Sequence, residues 1–199
     1  MDFVALVHEC APWASPQTMA SIVRKESGFN PLVIGVNGGA RLVRQPANKA
    51  EAVATASYLI ASGYNIDLGL AQINSANLRK LNLSVDAAFD SCRNISAAAT
   101  LLSLNFQTAK ARIVGEQPAL LAAISSYNTG SMRAGFANGY VRDVVANAGQ
   151  VIPVAFLPPA IRVTTSKHNK IASIASSRTP AMNVTYYLDD TGALKQIEN

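Results

Sequence analysis

The stretch from Ser15 to Pro31, SPQTMASIVRKESGFNP, decides the reading of this chain. Ser15 is a residue type that caps helix N-termini, and Pro16 fits the first helical position, where an N–H would go unused. The helix they open runs to about Ser27. Gly28 stops it, and Asn30-Pro31 confirms the exit, because the residue before a proline is pushed out of the α region. Met19, Ile22 and Val23 define the apolar face. The next position on that face, seven after Met19, is Glu26, while Arg24 and Lys25 fall to the sides. A carboxylate is therefore aimed where an apolar residue is expected. Burial, the carbonyl end of the helix dipole and apolar walls all disfavour its charged form. A Glu so placed stays protonated near neutral pH, as a general acid must. The plainer alternative, a Glu26 that pairs with a buried Arg or caps a backbone amide, stands level with it at this point.

Working outward, residues 2–10 form a short apolar segment. Beyond Pro31, Leu32 to Val36 and Ala40 to Arg44 flank Asn37-Gly38-Gly39 and read as a small β-hairpin. Asn48 starts a helix with Glu51 three residues on, as in a capping box, and Gly63 ends it. Residues 64–74 read as a loop with buried apolar residues, and 75–81 as a short helix. Ser84 caps a helix over Val85 to Phe89. Residues 91–113 form the longest helix, with Ile95, Ala98, Leu102, Phe106, Ala109 and Ile113 on one stripe. Pro118 opens a helix to about Tyr127, broken by Asn128-Thr129-Gly130, and a last helix covers 140–148. The pattern is mainly α, an α+β fold in which a helical domain over residues 1–149 carries a small hairpin. Residues 150–199 change character, with prolines and Ser/Thr clusters. They read as a tail with little fixed structure and one weak hairpin, Val184 to Leu188 turning back through Asp190-Thr191-Gly192 onto Leu194 to Ile197.

The composition narrows the classes. With 199 residues, 49% apolar and 15% charged, the chain can bury a core and is not generically disordered. No run of about 18 apolar residues exists, so no transmembrane helix is expected. The net charge of +5 is spread thinly, with 12 Lys and Arg against 9 Asp and Glu in residues 1–150 and 5 against 3 beyond. No basic cluster marks a nucleic-acid groove. A mildly positive surface suits an anionic partner such as a cell wall. Met1-Asp2-Phe3-Val4 has no basic n-region, so no signal peptide is visible. Two cysteines cannot make a four-cysteine zinc site. Cys10 and Cys92 either pair, which in the chain-entropy model adds roughly 4–5 kcal/mol, or remain two buried thiols, and the sequence leaves both open.

Two further elements carry polar chemistry. Gly69-Leu70-Ala71-Gln72-Ile73-Asn74 alternates apolar residues with amides in a mostly buried setting. Gln72 and Asn74 can donate to and accept from sugar hydroxyls and N-acetyl groups, or tie down their own loop. Tyr127 follows Leu120 and Ile124 on an apolar stripe. Its hydroxyl can reach Glu26 or a sugar, or simply a carbonyl within the core. Asn128 most simply ends the helix.

Taken together, these elements resemble the lytic transglycosylases of the lysozyme-like (SLT) superfamily, and most of all the branch associated with type IV secretion and conjugation machines. The resemblance rests on Glu26-Ser27-Gly28-Phe29-Asn30-Pro31, on Gly69 to Asn74, on Tyr127-Asn128 with Gly130, and on Gly139-Tyr140-Val141, in that order over residues 2–148. Ile34 to Gly39 resembles the hairpin of that branch. Ala71 departs from the pattern, since many relatives carry Met there. The resemblance implies a single catalytic acid, Glu26, which cleaves the β-1,4 bond between N-acetylmuramic acid and N-acetylglucosamine with a 1,6-anhydro product, and no metal or cofactor. It implies that Ser27 orients the acid or contacts the substrate, that Gln72, Asn74 and Asn128 bind the substrate, that Tyr127 holds the acid in the substrate groove, and that Tyr140 offers a sugar an aromatic platform. Asp67 is the reserve candidate for a second carboxylate, in the rival reading of a hydrolase that uses water. A non-catalytic wall-binding module is the other rival. The implied partners are peptidoglycan strands, and secretion-machine components through the tail, in the periplasm or cell envelope. A Cys10–Cys92 bond would fit that oxidising compartment.

Overall fold

The computed structural model describes residues 2–151, 185–188 and 194–197. The first apolar segment is a helix, α1 (Phe3–Cys10), capped by the Asp2 carboxylate, which accepts from the Val4 N–H at 3.0 Å. Next comes α2 (Pro16–Ser27), bounded as its sequence dictates. The Ser15 hydroxyl oxygen accepts from the Thr18 N–H, and Gly28 closes the helix in the left-handed region (φ 59°), its N–H on the Arg24 carbonyl at 3.2 Å. Met19, Ile22 and Val23 are fully buried.

The chain divides into two compact units, Met1–Gln107 and Thr108–Asn199. In the first, α1 and α2 are followed by β1 (Ile34–Val36), α3 (Lys49–Ala61), β2 (Ile66–Leu68), β3 (Ile73–Asn74), a 3-10 turn (Ser75–Asn77), α4 (Val85–Ala88) and nearly all of α5 (Ser91–Lys110). The three strands form one antiparallel sheet in the order β1-β2-β3. Its register sets Ile34 against Leu68, Val36 against Ile66, and Leu68 against Ile73. Because strand side chains alternate, one face collects these apolar residues, of which Ile34, Ile66, Leu68 and Ile73 are buried. The other face carries the row Gly35, Asp67, Asn74.

This sheet corrects the sequence reading in two places. The expected hairpin around Asn37-Gly38-Gly39 does not form, because β1 pairs with β2, beyond α3, and residues 40–44 make no strand. Burial explains the choice. Ile66 and Leu68 complete an apolar face, whereas Arg41, Val43 and Arg44 lie exposed. The outer edge of β1 is closed instead by a side chain. The Gln45 amide accepts from the Ile34 N–H at 2.9 Å and donates to the Ile34 carbonyl at 3.1 Å, as a neighbouring strand would. Correspondingly, residues 64–74 are not a plain loop, since they hold β2 and β3.

The helix α3 starts at its expected cap, the Asn48 side chain accepting from the Glu51 N–H at 3.0 Å. Glu51 reaches back past the cap to the Ala47 N–H and also meets Arg44. The hydrogen bond from Arg44, then that from Ala47, hold the Glu51 carboxyl below its usual range, and Glu51 in turn raises Arg44. The helix α5 begins next to a covalent tie. Cys10 and Cys92 are bonded, with their Cα atoms 5.2 Å apart, so the end of α1 is fastened to the first turn of α5.

In the second unit, α6 (Glu116–Thr129), α7 (Ala134–Ala137) and α8 (Tyr140–Val151) follow one another. Gly130 (φ 69°) stops α6, so the helix runs two residues past the expected end at Tyr127 and includes Asn128. The short α7, which sequence periodicity does not announce, is held by Ser125. That buried hydroxyl donates to the Ser131 carbonyl at 2.6 Å and accepts from the Gly135 N–H at 2.9 Å. A Cβ on Gly135 would stand 2.7 Å from the Ser125 Cα, so only glycine lets α7 approach α6 this closely. Two more strands, β4 (Thr185–Leu188) and β5 (Leu194–Ile197), pair antiparallel as the expected hairpin. The rest of the tail reading lies outside the described residues. Among the described residues no helix is long and apolar enough to cross a membrane.

Candidate active site

Glu26 stands in the last turn of α2 and is half-buried, less enclosed than its place on the apolar face suggests. The chain leaves it through two consecutive left-handed residues, Gly28 and Phe29 (φ 68°). A bulky residue in this region costs roughly 1–2 kcal/mol. Phe29 is held there by its ring, which makes a T-shaped pair with Phe3, centroids 5.2 Å apart, and lies under the Arg24 guanidinium at 5.6 Å. Aromatic and cation–π contacts of this kind offset a strain of that size.

Ser27 links the acid to the second motif. Its hydroxyl donates to the Leu70 carbonyl at 2.6 Å, with the Val23 carbonyl more distant at 3.4 Å. The end of the Glu26 helix is thereby fastened to the turn between β2 and β3. That turn is shaped by a left-handed Gly69 (φ 73°) and by Gln72 (φ 51°). The Gln72 amide donates to the Val33 carbonyl at 3.0 Å and to the Gly69 carbonyl at 2.9 Å. Both of its donor hydrogens are therefore spent on backbone, and what it can offer a sugar is its carbonyl oxygen. That oxygen lies over Gly35, where a Cβ would come within 2.8 Å of it.

The polar face of the sheet is one connected network. Asp67 receives the Asn74 amide at 2.7 Å on one oxygen and the Asn37 amide at 2.9 Å on the other. Asn65 bridges them, accepting from Asn37 at 2.8 Å and from Asn74 at 2.7 Å. Asn74 also caps the 3-10 turn, its oxygen accepting from the Ala76 N–H at 3.0 Å. Asp67 is thus satisfied by side-chain amides on a strand, not by the backbone of a loop. It is half-buried, and Gly35 is its neighbour on β1.

A fully buried residue that the sequence reading passed over holds this frame from behind. Asn94 on α5 donates to the Leu68 carbonyl at 2.9 Å and the Ala88 carbonyl at 2.7 Å, and accepts from the Ala71 N–H at 2.8 Å. The signal was present, because Asn94 lies four residues before Ala98 on the apolar stripe of the longest helix, and an amide there needs partners.

In the second unit, Tyr127 is half-buried near the end of α6. Asn128 is exposed and accepts from the Asn138 amide at 3.2 Å, joining the end of α6 to the residue that follows α7. Tyr140, expected as an aromatic platform, is buried in the structure. Only 4% of it is exposed, because Tyr140, Val141 and Val144 form the buried stripe of α8, so its ring presents no open platform here.

With this geometry, comparison with known proteins is specific. The family model described as the transglycosylase SLT domain matches residues 5–148. The chain is 42% identical over 187 residues to the type IV secretion system protein VirB1 of Brucella abortus, covering 91% of this chain and 78% of the relative. The same figures hold for the protein of that name in Brucella suis. The protein VirB1 of Agrobacterium fabrum is 38% identical over 152 residues, 76% of this chain and 61% of the relative. No solved structure matches significantly.

Proposed function

The chain belongs to the SLT transglycosylase family, in the branch of the VirB1 proteins, and from that membership we propose that it is a lytic transglycosylase that opens peptidoglycan for a type IV secretion machine in the periplasm or envelope. The observation that carries the reading is the hydrogen bond from Ser27 to the Leu70 carbonyl, which builds the helix end bearing Glu26 and the Gly69–Asn74 turn as one piece. A general acid must be held against its substrate to within a fraction of an ångström, and this contact supplies such a restraint.

In the proposed reaction Glu26 gives its proton to the glycosidic oxygen between N-acetylmuramic acid and N-acetylglucosamine, and the C1–O bond breaks. The muramoyl N-acetyl oxygen shares the positive charge left on C1. The 6-hydroxyl of the same sugar then attacks C1 and returns its proton to Glu26, which closes a 1,6-anhydro ring. One protein carboxylate suffices because the nucleophile belongs to the substrate, at high effective molarity. Residues 1–149 form the catalytic domain in this reading, and the tail is where machine components would bind.

Digesting purified peptidoglycan with the protein, and with Glu26→Gln beside it, tests this. The expected muropeptides are one water lighter than hydrolysis products, and the variant loses at least about 100-fold in rate. Hydrated products would overturn it in favour of a hydrolase. Asp67 gives that second reading its one support, as a half-buried carboxylate with two amide partners on the polar face of the sheet. Asp67→Asn would then abolish the hydrated products.

A further inference from the structure

The amide plane between Leu70 and Ala71 has a partner at each end. Its carbonyl accepts from Ser27 at 2.6 Å, and its N–H donates to Asn94 at 2.8 Å. The two groups of a trans peptide point in opposite directions and turn only together. Whatever fixes the N–H therefore fixes the carbonyl. We infer that Asn94 is a positioning residue for Glu26, acting through the 70–71 peptide and Ser27. The inference rests on the transglycosylase reading for its kinetic consequence but not for its structural one.

Three observations carry it. Asn94 has no exposed surface, and it is engaged at both ends of its amide by the end of β2, the end of α4 and the turn itself. Water cannot replace it without opening the core. Next, the turn lies directly on it. A Cβ on Gly69 would stand 2.7 Å from the Asn94 nitrogen and collide with the Ala88 carbonyl, so the backbone has no room to settle elsewhere. Third, Asn94 stands on a fixed support, since Cys92, two residues earlier, is bonded to Cys10. Hydrogen bonds in series also polarise one another, so losing the first weakens the Ser27 contact as well as freeing it.

The test compares the intact protein with Asn94→Ala, Asn94→Asp and, as a control for lost stability, Leu102→Ala, a buried position further along α5. Kinetics are run where circular dichroism shows every variant folded. Asn94→Ala should lower kcat about 10- to 100-fold with KM within about twofold, as misplacement of a catalytic group does. Leu102→Ala should lower Tm and leave kcat unchanged. Asn94→Asp keeps an oxygen that accepts from the Ala71 N–H and should therefore retain more of kcat than Asn94→Ala. A carbon-13 label on the Glu26 carboxyl reads the same link without substrate. Its resonance should move in Asn94→Ala and stay in place in Leu102→Ala. An unmoved Glu26 resonance, or an unchanged kcat in folded Asn94→Ala, overturns the inference. A wild type that cleaves no peptidoglycan instead removes the transglycosylase reading, and the Glu26 resonance then decides the positioning role alone.

Discussion

Two segments border the small sheet, and they are held by opposite means. Residues 37–48, beyond the outer edge of β1, are secured from the surface: Gln45 lies on Ile34, Arg44 meets Glu51, and Asn37 reaches Asn65 and Asp67, all exposed or partly so. Residues 68–74, at the inner end, are secured from the core by the buried Asn94, with part-buried contacts from Ser27 and Gln72 beside it. Surface polar contacts exchange with water and are worth little each. Buried ones have no substitute, and breaking one exposes the full desolvation penalty of its partners. The segment fastened to the end of the helix that bears Glu26 is the one held through the buried Asn94, and in the proposed function rigidity lies where the chemistry would need it.

The sharpest way to break this comparison is at its support. Replacing Cys10 and Cys92 with serine should cost 2–5 kcal/mol in reversible denaturation, on the order of magnitude usual for a bridge closing so long a loop. Hydrogen exchange should accelerate more over 68–74 than over 37–48, and equal acceleration would show that α5 does not anchor the inner segment selectively. Next in size is the direct contrast. Asn94→Ala strands buried groups at Leu68, Ala71 and Ala88 and should destabilise by about 3 kcal/mol, against about 1 kcal/mol or less for Gln45→Ala, in urea melts of both. Comparable losses would erase the distinction between core and surface fastening.

The smallest effect is electrostatic. Because Arg44 and the Ala47 N–H lower the Glu51 pKa, the stabilisation Glu51 contributes is present above its unfolded value of about 4.3 and is lost as pH falls through the folded value. The Tm difference between wild type and Glu51→Gln should therefore be small at pH 7 and shrink as the pH falls through the folded value. A difference that persisted at acid pH would mean the carboxylate charge is not its source.

How much of this was legible in the chain differs between elements. The helix α2 was readable to the residue, because its cap, its first-position proline, its apolar stripe and its terminal glycine are all local signals. The same holds for the cap at Asn48. The sheet was not legible in its pairing. The Asn-Gly signal marked a turn, but strand partners are chosen by which segments complete an apolar face, and Ile66 and Leu68 do so from beyond α3. At the candidate site, Glu26 and the Gly69–Asn74 segment are legible as motifs, and the structure adds the Ser27 contact that joins them. That the amide hydrogens of Gln72 go to backbone and that Tyr140 is buried was not legible, because a residue type does not reveal which side of an element faces the core.

By itself the sequence determined the helical elements, their caps, the place of a glutamate at the end of a helix, and the motifs that mark the family. These depend on neighbours within a few positions, which the order of residues specifies directly. Only the tertiary structure decided that β1 pairs with β2, that Cys10 meets Cys92, and that one peptide plane joins Asn94 to Ser27. Those contacts close loops across distant parts of the chain, and they are selected by what can be buried together and fully hydrogen-bonded, a condition no local stretch can express.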